Sequence, residues 1–132
     1  MAEIERRAGE YGLPPVKWPE SWPGSYLYAM RAATWTDRKG QGVTFALTAF
    51  RHAFVDGFDL ALPVNVQAAA ALEGLDPEEL DRAVQTPEAK DALKTNTAEA
   101  ASAGVSGVPS FVVRDEVIWG DDRLGEALAF AN

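Results

Sequence analysis

Two short motifs near the C-terminus carry the residue types best suited to hold a ligand. Gly107-Val108-Pro109-Ser110-Phe111 sets a proline between a glycine-rich turn and an apolar run, and Gly120-Asp121-Asp122-Arg123 opens a final helical pattern with acids and an arginine. An X-Pro bond in the first setting can be locked in cis, leaving the preceding residue with unpaired backbone groups that an extended peptide can pair with. The plainer reading is a proline that merely starts a strand. In the second motif, backbone N–H groups and a guanidinium converge where an anionic or zwitterionic group can sit. Its plainer reading is an ordinary Asp N-cap beside a solvated arginine. Both motifs describe binding, and no residue of the chain is assigned a catalytic role.

Composition narrows the chemistry. The 132 residues contain no cysteine, which excludes a disulfide, a thiolate metal site and a Cys-x-x-Cys redox centre. A formal charge of −8 repels phosphate backbones and anionic lipid, so neither nucleic acid nor membrane is an expected partner. One histidine, His52, with no His-x-x-x-His pair and no Asp-rich calcium loop, leaves no expected metal site and reads as structural or partly exposed. Met1 to Arg7 mixes acids and bases and lacks the apolar stretch of an export signal, so the expected location is cytoplasmic.

The elements that position the motifs follow from periodicity. Residues 2–11 form a short helix stopped by Gly12, and the proline-rich connector 12–25 is pinned by Trp18 and Trp22. Tyr26–Arg38 is expected as a helix burying Leu27, Met30, Ala33 and Trp35, and Val43–Val55 as a core helix that is apolar on more than one face. Pro63–Leu72, a helix capped by Asp76 and running to about Val84, and a longer helix from Thr86-Pro87-Glu88 to about Ala103 complete the series. The acids between Glu73 and Asp81 read as a solvated face. After Gly104 the period becomes strand-like. Ser110–Val113 and Val117–Trp119 flank a loop of Arg114, Asp115 and Glu116. Asp121 or Asp122 then caps a helix presenting Leu124, Leu128 and Phe130 to the sheet. The fold class is α+β, predominantly helical: a helical domain over 1–104, then a β-β-α unit over 105–132. Trp18, Trp22, Tyr26, Tyr28 and Trp35 can line a pocket for a ring-bearing ligand, although core packing is the commoner fate of such residues.

Taken together, Tyr11-Gly12-Leu13-Pro14, Lys94-Thr95-Asn96-Thr97-x-x-Ala100, Gly104-Val105-x-Gly107-Val108-Pro109-Ser110-Phe111 and Trp119-Gly120-x-Asp122-Arg123 make the chain, from about Arg6 to its end, resemble the DsbA-like thioredoxin-fold family. The similarity is to the branch of 2-hydroxychromene-2-carboxylate isomerases and kappa-class glutathione transferases. The resemblance implies a helical insertion domain followed by the C-terminal β-β-α half of a thioredoxin fold. It also implies a cis Pro109, with Val108 pairing to glutathione, and Asp121, Asp122 and Arg123 holding its γ-glutamyl end. Asn96 and Thr97 would face the cleft.

In that family a strand and helix ahead of the helical insertion carry a Ser or Cys nucleophile, and no such segment has a counterpart here. Ser21, Ser25, Ser102, Ser106 and Ser110 align with other parts of the pattern. The resemblance therefore implies a relative of glutathione-dependent isomerases and oxidoreductases without independent catalysis. The alternatives are a non-catalytic dimeric binding module or a fragment completed by another chain. A two-stranded ribbon with an open edge is marginal alone, so a homodimer through the hairpin edge or through swapped elements is expected, with Phe111, Val113, Ile118 or Trp119 partly exposed.

Overall fold

Small side chains at the contact positions let the N-terminal helices approach one another closely. The computed structural model describes residues 1–132 and divides them into two compact units, Met1–Lys90 and Asp91–Asn132. The first holds α1 (Ala2–Glu10), α2 (Leu27–Arg38), α3 (Gly42–Phe54), α4 (Pro63–Leu72) and α5 (Pro77–Val84). Ala32 of α2, Ala49 and Ala53 of α3 and Ala69 and Ala70 of α4 are buried where helices meet, and Phe45, Val66, Leu80 and Val84 fill the space between them. Prolines at the first turn of α4 and α5 lose no helical hydrogen bond, and Asp76 caps α5 by accepting from the Glu78 N–H at 2.9 Å. No helix is long and apolar enough to cross a membrane.

The buried faces differ from the periodicity reading in two helices. On α2 the buried positions are Ala32, Thr34 and Thr36, whereas Leu27 and Met30 are half exposed. Threonine is tolerated there because Thr34 Oγ1 donates to Met30 O and Thr36 Oγ1 to Ala33 O, both at 2.9 Å, so neither hydroxyl is buried unpaired. On α3 only the stripe of Phe45, Ala49 and Ala53 is buried, while Val43, Leu47 and Phe50 face outward. The connector is fastened to the end of α3 by Lys17 N–H donating to Phe54 O at 2.7 Å and by the edges of Trp18 and Trp22 against the Phe54 ring, at 5.8 and 5.2 Å between centroids. The Trp22–Pro23 peptide bond in this connector is cis.

A polar bridge spans three helices of this unit. Tyr28 on α2 donates to Asp81 Oδ1 on α5 at 2.8 Å, and Gln67 Nε2 on α4 donates to both Tyr28 Oη and Asp81 Oδ1, at 3.0 and 3.2 Å. Partial burial, followed by the proximity of the Asp81 carboxylate, pushes the Tyr28 phenol up to about 12. A raised phenol pKa means that the neutral form is the one favoured by folding. Its contribution is full below the ordinary value near 10 and is lost as pH rises through about 12. Tyrosinate absorbance should therefore show a late phase near pH 12 that belongs to Tyr28. Tyr28→Phe should remove that late phase and cost about 1 kcal/mol in urea denaturation. A titration complete before pH 11 contradicts this account.

The second unit contains most of α6 (Pro87–Ser102), β1 (Ser110–Val113), β2 (Glu116–Trp119), a 3₁₀ turn (Asp121–Arg123) and α7 (Leu124–Ala131). Its boundary falls inside α6, whereas the change of period in the sequence lies at Gly104. The strands pair antiparallel with Ser110 opposite Trp119, Phe111 opposite Ile118, Val112 opposite Val117 and Val113 opposite Glu116. Because Glu116 belongs to the ladder, the loop is two residues, not three, and Arg114 makes the reversal at φ 56°.

Opposite residues share a face. Phe111, Ile118 and Val113 therefore lie on one side, which α7 covers, and Ile118 is fully buried. Val112 and Trp119 lie on the other side and are more than half exposed, in place of the exposure expected for Ile118. Helix α7 meets the sheet through Ala127, while Leu124, Leu128 and Phe130 are substantially exposed. The small residue allows the close approach, and the larger ones flank it.

Candidate functional site

The register of the hairpin brings the two C-terminal motifs together. Pro109 precedes the first strand and Gly120 follows the second, and Gly120 N–H donates to Pro109 O at 3.0 Å, one step beyond the Ser110–Trp119 pair. The Val108–Pro109 peptide bond is cis, and Val108 is 87% exposed beside this junction. Ser110 donates its hydroxyl to Gly107 O at 2.6 Å, so the hydroxyl nearest the junction holds the turn.

Two glycines are required by contact. A side chain at Gly107 would come within 2.8 Å of the Trp119 indole nitrogen. Gly120 has φ 109° and ψ 143°, a region open essentially to glycine alone, and the Asp122 carboxylate folds against its Cα.

The acids do not cap the last helix as the sequence suggested. Asp121, Asp122 and Arg123 themselves form the 3₁₀ turn, Gly120 stands at its N-cap without a side-chain cap bond, and α7 starts at Leu124 with Arg123 in the cap position. The tighter turn consumes the positions an Asp cap would have used. Arg123 is exposed and forks onto Glu126, with Nε donating to Oε2 at 2.7 Å and a terminal nitrogen to Oε1 at 2.5 Å. This hydrogen bonding, reinforced by the charge of Glu126 and by Asp122 and Glu116, raises the Arg123 pKa, and the same contact lowers that of Glu126. Glu126 was not singled out from the sequence, although its three-residue spacing from Arg123 was the available signal.

The cluster is a cation ringed by carboxylates. Asp122 and Glu126 disfavour a bare polyanion and suit a zwitterion whose ammonium meets an acid while its carboxylate meets Arg123. Asn96 and Thr97 lie on α6 within the same unit. Thr97 Oγ1 donates to Leu93 O at 2.8 Å, and Asn96 is exposed on the helix surface. His52, on α3, stacks on Phe58 at 4.3 Å, with Nδ1 3.6 Å from Asp56. No group of three or more His, Asp or Glu side chains is placed to hold a metal ion.

The helical unit has a cavity of its own. It measures about 200 Å³ and is framed by Trp22 of the connector, Tyr26, Met30 of α2 and Phe45, Phe50 and Phe54 of α3. Trp22 and Tyr26, named from the sequence for a ring-binding pocket, line it; Trp18 packs behind Trp22 at 5.4 Å. Tyr28 is engaged in the polar bridge and Trp35 lies under Lys39 Nζ at 4.1 Å.

This β-β-α arrangement, with a proline before the first strand hydrogen-bonded to the turn after the second, is that of a thioredoxin-type half-domain carrying a helical partner domain. The profile of the DSBA-like thioredoxin domain matches residues 1–129, and the chain belongs to that family. It is 29% identical over 124 residues to the 2-hydroxychromene-2-carboxylate isomerase of Sphingobium xenophagum, in an alignment covering 94% of this chain and 62% of the isomerase. A solved selenomethionine structure of 2-hydroxychromene-2-carboxylate isomerase superimposes with a TM-score of 0.82 at 21% identity, covering 97% of this chain and 62% of that one. The second likeness is one of fold. The chain spans about three fifths of the length of these relatives.

The junction makes a direct prediction. Gly120→Ala should cost about 1–3 kcal/mol, because the side chain meets Asp122 and the backbone must leave its φ of 109°. Amide exchange at Phe111 and Ile118 should accelerate at least about tenfold. Unchanged protection would show that the Gly120–Pro109 bond does not hold the hairpin closed.

Proposed function

We propose that the chain is the thiol-peptide-binding part of a glutathione-dependent isomerase-type protein and that it has no turnover of its own. The observation that carries this reading is the hydrogen bond from Gly120 N–H to Pro109 O, which sets Val108 and Pro109 beside Asp121, Asp122 and Arg123. In this site the exposed backbone of Val108 pairs with the peptide portion of glutathione. Asp122 meets the γ-glutamyl ammonium, and Arg123 takes its carboxylate in place of Glu126. Asp121 adds negative charge on the ammonium side, and Asn96 and Thr97 belong to the cleft wall. The relationship to an isomerase gives the chemistry such a site would serve, in which a glutathione thiolate adds to an unsaturated ring, a bond rotates, and the thiolate departs. The reading assigns no nucleophile to this chain. Ser110, whose hydroxyl is committed to Gly107 O, supports that assignment.

Calorimetric titration tests it. Glutathione should bind in roughly the millimolar range, and Arg123→Ala should weaken binding by about tenfold. Glu126→Gln, which frees the guanidinium, should tighten it about two- to fivefold. A steady-state assay of the chain alone with a chromene carboxylate should show no turnover. Titration without heat at millimolar glutathione removes the binding role, and measurable turnover removes the non-catalytic one.

We further propose self-association through the hairpin and α7, supported by the exposure of Val112, Trp119 and Leu128 in one small unit. Light scattering should give twice the 14.2 kDa chain mass, and Trp119→Lys should halve the observed mass. A wild-type mass of one chain at tens of micromolar rules this out.

A further inference from the structure

The cavity of the helical unit has a composition that selects its occupant, independently of the glutathione reading. Its walls are almost wholly carbon, and Tyr26, the phenol among them, has its oxygen engaged by Gly24 N–H at 2.8 Å. The space is a cleft open on one side, with Met30 and Phe50 at its rim more than half exposed, and displacing water from so apolar a wall favours an apolar guest. At about 200 Å³ it has room for a single aromatic ring. The space exists because α2 and α3 present alanines here, Ala33, Ala46 and Ala49 among them, while the rings of Trp22, Phe50 and Phe54 stand around it. Trp22 and Phe54 meet edge to face at 75°, and Phe50 lies stacked on Phe54 at 6.4 Å, so ring edges and faces are both available to a guest. No cationic side chain lines the cavity.

We propose that this cavity is a binding site for a neutral aromatic ring bearing at most a short apolar substituent. A carboxylated ring of the same size binds more weakly, because no lining side chain pairs with its charge and it must keep that charge at the open mouth. This separates the site from any that would hold the carboxylate of a chromene-type acid.

Toluene and benzoate have nearly the same shape and differ in charge, so the pair reads the proposal directly on the intact chain. Calorimetry should give saturable toluene binding at one per chain, with benzoate at least about tenfold weaker. Ala46→Leu, at a half-buried lining position, should fill the space and weaken toluene at least about tenfold with helicity unchanged by circular dichroism. Should Ala46→Leu not fold, Phe50→Ala removes an exposed wall and should weaken toluene several-fold. Absence of saturable toluene binding by the folded protein overturns the proposal. So do benzoate binding of equal strength, and toluene affinity unaffected by either substitution. Toluene binding that disappears as the chain self-associates, with light scattering reporting the dimer, overturns it in favour of a second copy as the occupant.

Discussion

Close helix packing across alanine is the constraint on which the N-terminal unit depends. Ala32, Ala49, Ala53, Ala69 and Ala70 are buried at the helix contacts, and each contributes little apolar area while removing the bulk that would hold backbones apart. Stabilisation then comes from the larger plugs, Phe45, Val66, Leu80 and Val84, each worth about 1.5–3 kcal/mol of burial. The close approach also decides the polar chemistry. Tyr28, Gln67 and Asp81 meet within hydrogen-bond distance only because their three helices are near enough, and a bridge of that kind ties helix register more than it adds net energy. The same alanines account for the cavity. Where rings stand at the rim of an alanine-lined face, no side chain reaches in to fill it.

In the C-terminal unit a turn plays the corresponding part. A two-residue loop with Arg114 in the left-handed region sets the register so that Val113 meets Glu116. A loop one residue longer would bring Val113 opposite Val117 and turn one strand's apolar residues to the other face. With the observed register, Ile118 and Phe111 share the face that Ala127 approaches, and Pro109 and Gly120 become neighbours. The candidate site is therefore a consequence of hairpin register.

Element boundaries were legible in the sequence because their signals are local. Pro63, Pro77 and Pro87 mark helix starts, and Gly40, Gly57, Gly74 and Gly104 mark stops, each of these glycines having a positive φ. Faces were less legible. Leu47 and Phe50 are as apolar as Phe45, and nothing in α3 says which stripe its neighbours will cover. Thr34 and Thr36 fall outside the apolar stripe of α2, and their burial rests on hydroxyls satisfied by carbonyls of their own helix, which no pattern of apolar residues reports. At the site, the pairing of motifs 108–109 and 120–123 came from resemblance and the bond joining them from the fold. The substitution of a 3₁₀ turn for an Asp cap, and the fork from Arg123 to Glu126, depended on conformations that several sequences of that composition can adopt.

The Arg123–Glu126 fork bears on what kind of ligand the site can hold. Both groups are exposed, and an exposed ion pair is held so weakly that a competing carboxylate delivered by a multivalent ligand can match it. A free anion gains little, because displacing Glu126 exchanges one carboxylate for another while Asp122 and Glu116 still repel it. A ligand that brings an ammonium with its carboxylate converts that repulsion into a second attraction, and one that adds an extended backbone beside Val108 gains a third contact without further charge. For the binding role proposed for Arg123, its acidic surroundings would favour a zwitterionic peptide over a bare anion, and the charge of −8 across the chain would discourage phosphorylated competitors in the same way.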